Sequence, residues 1–423
     1  MAARRVVDVT AVDDDVGALA ARRTVLGRVP YPVLVFVSLA GLLVMWMWAA
    51  TELLDRHPLY PVPPADFAGS ALLEGWYRFD GGWYRYIAEN GYFFTDASQQ
   101  SPVAFFPAYP LAVRAVDALV GDTILSGIAV TFLCGLGASV LFYTWTRDVF
   151  DDATARTALA VLLLYPYAWF LFGAVYGDAL FVVAAIGAFV LFERGQPVLA
   201  GLSGAVATAA RPVGLAVVVG LVVLTVARKG GIRHWRELRP RDAGVLLSLS
   251  GIVGWTVYLW TRFGDPLLFS RVQGAQGWDQ GEGPRTWFKL AFFERLEQLP
   301  ALLSDSVTGS TAHHPNPWTE ATYGLGVVLQ AVCLLGALVL VPFVVRRLGW
   351  GYGAYVLTLL LIPLAGTKDF QGAGRYALAA FPCFALIGSH LASRTGPRVV
   401  WFVASGGLLL LLSSAYARGY YVG

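Results

Sequence analysis

Apolar runs long enough to cross a bilayer alternate along this chain with short basic segments and two long aromatic-rich polar ones. A span needs about 20 consecutive apolar residues. Uninterrupted candidates cover 31–54, 123–146, 243–262, 322–345, 349–365, 375–393 and 398–416. Two further runs are broken: 156–194 by "YPYAWFLFGAVYGDA", where a turn is expected near Gly173–Asp178, and 197–228 by "ARPVG". Taken as two spans each, they bring the total to about eleven. The pattern predicts an all-α integral membrane protein, with a polar tail at 1–30 and one polytopic domain over 31–423.

Composition sharpens this picture. Of 423 residues, 57% are hydrophobic and 14% charged, whereas soluble domains carry about a quarter charged residues. The net charge of +3 is too small to suggest a nucleic-acid partner, so membrane lipids are the expected surroundings. Cys134, Cys333 and Cys383 lie far apart inside apolar runs, without the spacing of a disulfide framework or a zinc site; they read as packing residues. The first apolar run starts late and is long enough to span, which speaks against a cleaved secretory signal. Asp13–Asp15 read as part of a solvated tail.

Lys and Arg in short loops mark the cytoplasmic side of a membrane protein. With the tail inside, one side collects Arg4, Arg5, Arg22, Arg23 and Arg28, then Arg147, Arg156 and Arg194. The same side holds "RKGGIRHWRELRPR" (228–241), Arg346 with Arg347, and Arg394 with Arg398. The alternation requires both broken runs to cross twice. It predicts a cytoplasmic N-terminus, an extracytoplasmic C-terminus and two long outer loops, 55–122 and 263–321, in a protein expected at the cell membrane. Loops of this length are usually functional.

The first outer loop contains "RFDGGWYRYIAENGYFF" (78–94). A helix starting at Asp80 places Asp80, Trp83, Tyr84 and Ile87 on one face and leaves Arg85 and Glu89 as an exposed i,i+4 pair. Two readings stand for Asp80. It suits an N-cap, preceding two glycines and a helical pattern. It also suits a general base at the membrane surface, because a carboxylate can take the proton of an acceptor hydroxyl as that oxygen attacks. "SPVAFFPAYPLAVRAV" (101–116) is expected to wall the opposite side of a cleft, and Gly81 and Gly82 to allow a substrate near the backbone.

"RFDGGWYRYIAENGY" followed by "AFFPAYPL" resembles the signature of the PIG-V-type mannosyltransferases, integral membrane glycosyltransferases of the GT-C class. "AVYGDALF" (174–181), "ARPVGLAV" (210–217), "FGDPLLFSRVQGAQGWDQ" (263–280) and "GRYALAAFP" (374–382) resemble later motifs of that family, in the same order. Phe79 stands where the pattern has Trp, and Asp178 where it often has Glu. The resemblance implies a GT-C-like bundle and inverting transfer of mannose from polyprenyl-phosphate mannose to a glycan or glycolipid acceptor. It implies Asp80 as the base, and no metal or other cofactor beyond the lipid-linked sugar as co-substrate.

A polyprenyl-phosphate leaving group calls for cationic donors. Arg375, at the start of a span, and Lys368 in the same outer loop "GTKDFQGAGR" are candidates, Arg375 with the alternative of an interfacial arginine reaching to headgroups. Arg211 lies between two short spans, where a charge needs a partner; Asp178, across the neighbouring break, is the expected one, as a structural or a substrate-lining pair. Trp83, Tyr84, Arg271, Gln273, Gln276 and Trp278 are candidate substrate-binding residues. His313 and His314 have no partners at metal spacing, and 285–303 reads as an amphipathic surface helix. The competing functions are the same reaction with another sugar, a non-catalytic subunit of a glycan-building complex, and a transporter of a lipid-linked sugar, since transporters also use broken helices.

Overall fold

The computed structural model describes residues 30–58, 60, 71–231, 233, 239–278, 280 and 283–423. The tail at 1–29, with its arginines and Asp13–Asp15, lies outside the described residues, as do parts of both long loops and of the 228–241 segment.

Apolar length sets the first helix, α1 (Pro30–Leu53). The first long loop then carries α2 (Ala71–Glu74), α3 (Gly81–Asn90) and α4 (Ala108–Val120). Acidic caps start the next two helices. The Asp122 carboxylate accepts from the backbone N–H groups of Ile124 and Leu125, both at 2.9 Å, to open α5 (Thr123–Val149). Asp151 accepts from the Thr154 N–H at 2.8 Å to open α6 (Asp152–Leu163). A turn region holding the short α7 (Trp169–Phe172) leads to α8 (Asp178–Glu193). The pair α9 (Pro197–Ala210) and α10 (Leu215–Arg228) is joined by an extended Arg211 and a 3-10 turn at Pro212–Gly214.

A 3-10 stretch at Pro240–Leu249 runs into α11 (Ser250–Phe263). The second long loop carries α12 (Leu268–Arg271), α13 (Pro284–Trp287) and α14 (Leu290–Thr308), so the expected amphipathic helix exists but is split by a left-handed Lys289 (φ 55°). The chain closes with α15 (Pro317–Leu348), α16 (Trp350–Gly366), α17 (Ala373–Leu378), α18 (Phe381–Leu391) and α19 (Thr395–Ala417). Among the described residues there is no strand.

Among the described residues, five helical stretches are long and apolar enough to cross a membrane: Tyr31–Leu53, Thr123–Val149, Pro240–Phe263, Pro317–Leu348 and Thr395–Ala417. Helix length alone marks five spans among the described residues, fewer than the eleven or so expected from sequence. The 14 residues of α9 rise only about 21 Å at ~1.5 Å each, short of a hydrocarbon core of about 30 Å. The run 197–228 divides into two helices of 14 residues each, shorter than the usual span of about 20. What it forms is a hairpin of two short helices, and 152–193 forms another.

Helix ends sort into two groups. At one end Arg156 lies over the Tyr31 ring (4.3 Å), Arg347 over Phe150 (5.3 Å), and Arg228 pairs with Glu193, which also accepts from the Tyr352 hydroxyl at 3.1 Å. At the other end Arg418 donates to the Thr51 carbonyl (2.7 Å) and Arg78 to that of Ala417 (2.9 Å). The tips of both short hairpins reach this second end, around Asp178 and Arg211. Between the ends, α8 is almost wholly buried against α5 and α9. Small residues permit the closest approaches, as is usual between helices in lipid: a Cβ on Gly135 would stand 1.9 Å from the Leu171 carbonyl oxygen.

Candidate active site

Asp80 is fixed by the turn before it. Arg78, 2% exposed, donates to the carbonyls of Glu74 (2.7 Å), Tyr77 (2.8 Å) and Ala417 (2.9 Å) and to the Glu74 carboxylate (2.8 Å). Phe79 is held in the left-handed region at φ 50°, strained for a bulky side chain. Its N–H donates to the Tyr60 hydroxyl (2.8 Å), and its ring packs edge-on against Tyr60 (5.0 Å) and Tyr421 (4.9 Å). The Asp80 N–H in turn donates to the Tyr176 hydroxyl at 3.1 Å. Asp80 sits at the N-cap position of α3, yet its side chain makes no capping hydrogen bond. The carboxylate turns away from its own helix.

It faces Arg375. One Arg375 amine lies 3.5 Å from Asp80 Oδ2 and 3.9 Å from Asp178 Oδ2, while Asp178 Oδ1 accepts from Arg211. Two acids and two guanidiniums therefore meet at the tips of four separate segments: the first outer loop, the start of α8, the break after α9, and α17. The side chains of Asp178, Arg375 and Arg211 are 2%, 8% and 10% exposed, that of Asp80 25%, so Asp80 is the accessible member. Asp178 in the first turn of α8 also enjoys the positive end of that helix. Arg375 lies over the rings of Tyr176 (5.0 Å) and Phe170 (5.3 Å), and Arg211 over Tyr376 (4.6 Å). Among the described residues the buried Arg375 Nε has no hydrogen-bond partner. Burial pushes the Asp80 carboxyl above its ordinary 3.8, and the charges of Arg375 and Arg211 pull it part of the way back.

A wall of aromatics closes one side. Tyr84 is buried edge-on against Phe105 (5.2 Å) and Tyr109 (4.9 Å), from the second aromatic segment of the same loop. Trp83 stacks with Phe105 (6.1 Å) and meets Trp278 of the second long loop (6.1 Å), which itself touches Phe105 edge-on (5.8 Å). The two long loops thus share one aromatic cluster beside Asp80.

No family model and no curated protein matches the chain. Solved structures do show a likeness. The apo oligosaccharyltransferase of Archaeoglobus fulgidus aligns at 14% identity over 92% of this chain and 56% of its own, with a TM-score of 0.44. The archaeal oligosaccharyltransferase AglB from the same organism, in complex with an inhibitory peptide and a dolichol-phosphate, gives 14%, 92%, 56% and 0.43. ArnT from Cupriavidus metallidurans bound to undecaprenyl phosphate gives 15% over 93% of this chain and 75% of its own, with 0.46. The chain spans just over half the length of the oligosaccharyltransferase. No residue role is carried over from any of these, and the PIG-V-type signature stays a resemblance of motifs.

Of the residues singled out from sequence, Asp80, Asp178, Arg211, Arg375 and Tyr84 converge at this one site, with Trp83 and Trp278 at its flank. Others lie elsewhere. Arg271 is exposed and pairs with Asp265 at 3.0 Å on the surface. Gln276 is exposed, its carbonyl accepting from Gln100 at 3.3 Å, and Gln273 contributes a backbone carbonyl to the Gln280 N–H at 2.9 Å. Lys368 is half-buried, its backbone N–H bonded to Gln280 Oε1 at 3.0 Å. In the same loop Asp369 is buried, and Lys289 donates to the Thr367 carbonyl; burial lowers the Lys289 ammonium to about 8, against a small upward pull from Asp369. His313 bonds Asp305 (2.9 Å), and no group of three metal-ligating residues occurs among the described residues. Gly82 is exposed, and a Cβ there would make ordinary contact with the Tyr77 hydroxyl at 3.7 Å, whereas a Cβ on buried Gly81 would crowd the Tyr77 ring at 3.2 Å.

Sequence reasoning missed Arg78, Tyr176 and Tyr421. The first two lie inside quoted motifs, but only the fold shows that one locks the turn and the other receives the Asp80 N–H.

Proposed function

We propose that this protein transfers a mannosyl residue from polyprenyl-phosphate mannose to a lipid-linked or cell-envelope glycan acceptor, on the extracytoplasmic face and with inversion. The observation that carries the reading is the Asp80 carboxylate: uncapped, the most open of four clustered charges, and beside a buried arginine with a spare donor. In the reaction the acceptor oxygen bonds to the anomeric carbon as the bond from that carbon to the phosphate oxygen breaks. The acceptor proton passes to Asp80. Polyprenyl phosphate leaves with the bonding electrons, its growing charge met by Arg375, while Arg211 is held by Asp178 and supports that site. A carboxyl raised by burial is a stronger base than an ordinary one. Trp83, Tyr84 and Trp278 offer the aromatic surface for the sugar, and the lipid-linked donor serves as co-substrate with no cofactor.

The test is sugar transfer in reconstituted membranes by wild type and Asp80→Asn, with polyprenyl-phosphate mannose and a panel of lipid-glycan acceptors. The expected result is a loss of about 10²–10⁴-fold in rate, the worth of a general base, with thermal unfolding unchanged. Near-normal transfer by a folded Asp80→Asn would end the assignment of the base.

A further inference from the structure

Behind Phe79 lies a cavity of about 210 Å³, distinct from the acid–arginine cluster. Its lining includes His57, Tyr60, Phe79, Glu320, Tyr323 and Tyr421. Three properties define its chemistry. It is smaller than the roughly 300–1,000 Å³ of a drug-sized pocket, the scale of a single sugar ring. Its walls are tyrosines, which offer apolar faces and hydroxyl groups together. Its polar members, Glu320 and His57 with Thr319 and Thr322, suit hydroxyl groups rather than an anion. Glu320 pairs with Arg295 at 3.1 Å.

The cavity and the Asp80 site share a wall. Phe79 lines the cavity, and the next residue presents the proposed base. Tyr421 also lines it and packs edge-on against Phe79 at 4.9 Å. Tyr421 reaches this place because the segment after α19 folds back over the first outer loop: the His57 N–H donates to the Arg418 carbonyl at 2.9 Å, and Gly419, at φ 85°, packs against the Tyr60 ring so closely that a Cβ would stand 2.5 Å from it. The left-handed strain at Phe79 is the cost of turning one side chain into the cavity and the next toward Arg375.

We infer that this cavity is the acceptor subsite, taking one neutral hexose unit of the acceptor glycan and presenting it across Phe79 and Tyr421 to Asp80. The inference rests on the glycosyl-transfer reading above for the word acceptor, but the saccharide binding stands by itself.

Saturation-transfer NMR on the detergent-purified full chain tests it with methyl α-mannoside, other neutral methyl hexosides and an anionic methyl hexuronide. The proteins compared are wild type, Asp80→Asn, Thr319→Trp, which fills the cavity from a half-buried position in the first turn of α15, and Glu320→Gln, which keeps shape and the contact with Arg295. Wild type and Asp80→Asn should bind a neutral hexoside, with the hexuronide rejected; Thr319→Trp should weaken binding at least ~10-fold in Kd, and Glu320→Gln severalfold. Thermal unfolding of both cavity variants is measured alongside, so that a misfolded Thr319→Trp leaves Glu320→Gln to decide. No binding by wild type, or equal binding by the cavity variants, overturns the site. Binding by wild type without sugar transfer to any acceptor overturns the acceptor role and the reading it rests on, while a saccharide site remains.

Discussion

Asp80 and Arg375 hold opposite charges 3.5 Å apart where burial and ion pairing pull the acid in opposite directions. Burial is the larger influence, so the carboxyl lies above 3.8, and the guanidinium limits the rise. Because kcat/KM reports the free enzyme's essential base, its acidic limb should fall above 3.8 in wild type. Replacing the cation with a neutral amide, Arg375→Gln, removes a charge that favours the ionised acid, so the limb should move to higher pH even as the maximal rate drops. The residual transfer activity of purified Arg375→Gln, followed across the acidic range, checks the sign. A limb that stays put or moves down would mean that Asp80 is not the group being titrated.

The short hairpins are the elements that build the site, because their tips bring Asp178 and Arg211 together. Asp178 is all but fully buried, and its loss leaves Arg211 with no carboxylate in a poorly solvated place. Asp178→Asn should therefore cost about 3–5 kcal/mol of stability, the usual result of breaking one side of a buried pair. An apolar double replacement, Asp178→Leu with Arg211→Met, should recover much of that loss, since neither charge then remains unpaired. Unfolding of wild type, Asp178→Leu, Arg211→Met and the double variant in detergent completes the cycle; strictly additive losses would show that the contact contributes no coupling. These breaks were legible in the sequence, as interruptions of apolar runs by "ARPVG" and "AVYGDA", and so was the Asp178–Arg211 partnership, because a charge at that depth needs one. The length of the helices on either side was not: periodicity marks where an apolar run stops, but only packing decides whether it crosses or turns back. Nor could sequence show that Asp80 declines its cap, since an acid before two glycines reads the same whether its carboxylate bonds to α3 or to an arginine almost three hundred residues away. The return of Tyr421 to Phe79 is a long-range contact with no local signal at all.

At the scale of the whole molecule, the two groups of helix ends carry different chemistry. One gathers Arg156, Arg228 and Arg347 with Tyr31, Phe150 and Glu193; the other gathers the acid–arginine cluster, both long loops and the segment after α19. The first group coincides with the ends assigned to the cytoplasm by Lys and Arg counting. The fold thereby ties the sidedness of every loop to one choice: if any member of the second group is extracytoplasmic, Asp80 is too. Single cysteines in a background with Cys134, Cys333 and Cys383 replaced by alanine resolve that choice in intact cells. Arg271→Cys, on the exposed surface of the second long loop, should react with a membrane-impermeant thiol reagent before permeabilisation. Ser393→Cys, exposed between α18 and α19, should react only afterwards. The opposite pattern would place Asp80 in the cytoplasm and remove the extracytoplasmic donor from the proposed reaction; labelling of both sites without permeabilisation would mean that the two groups of ends do not lie across a membrane from one another.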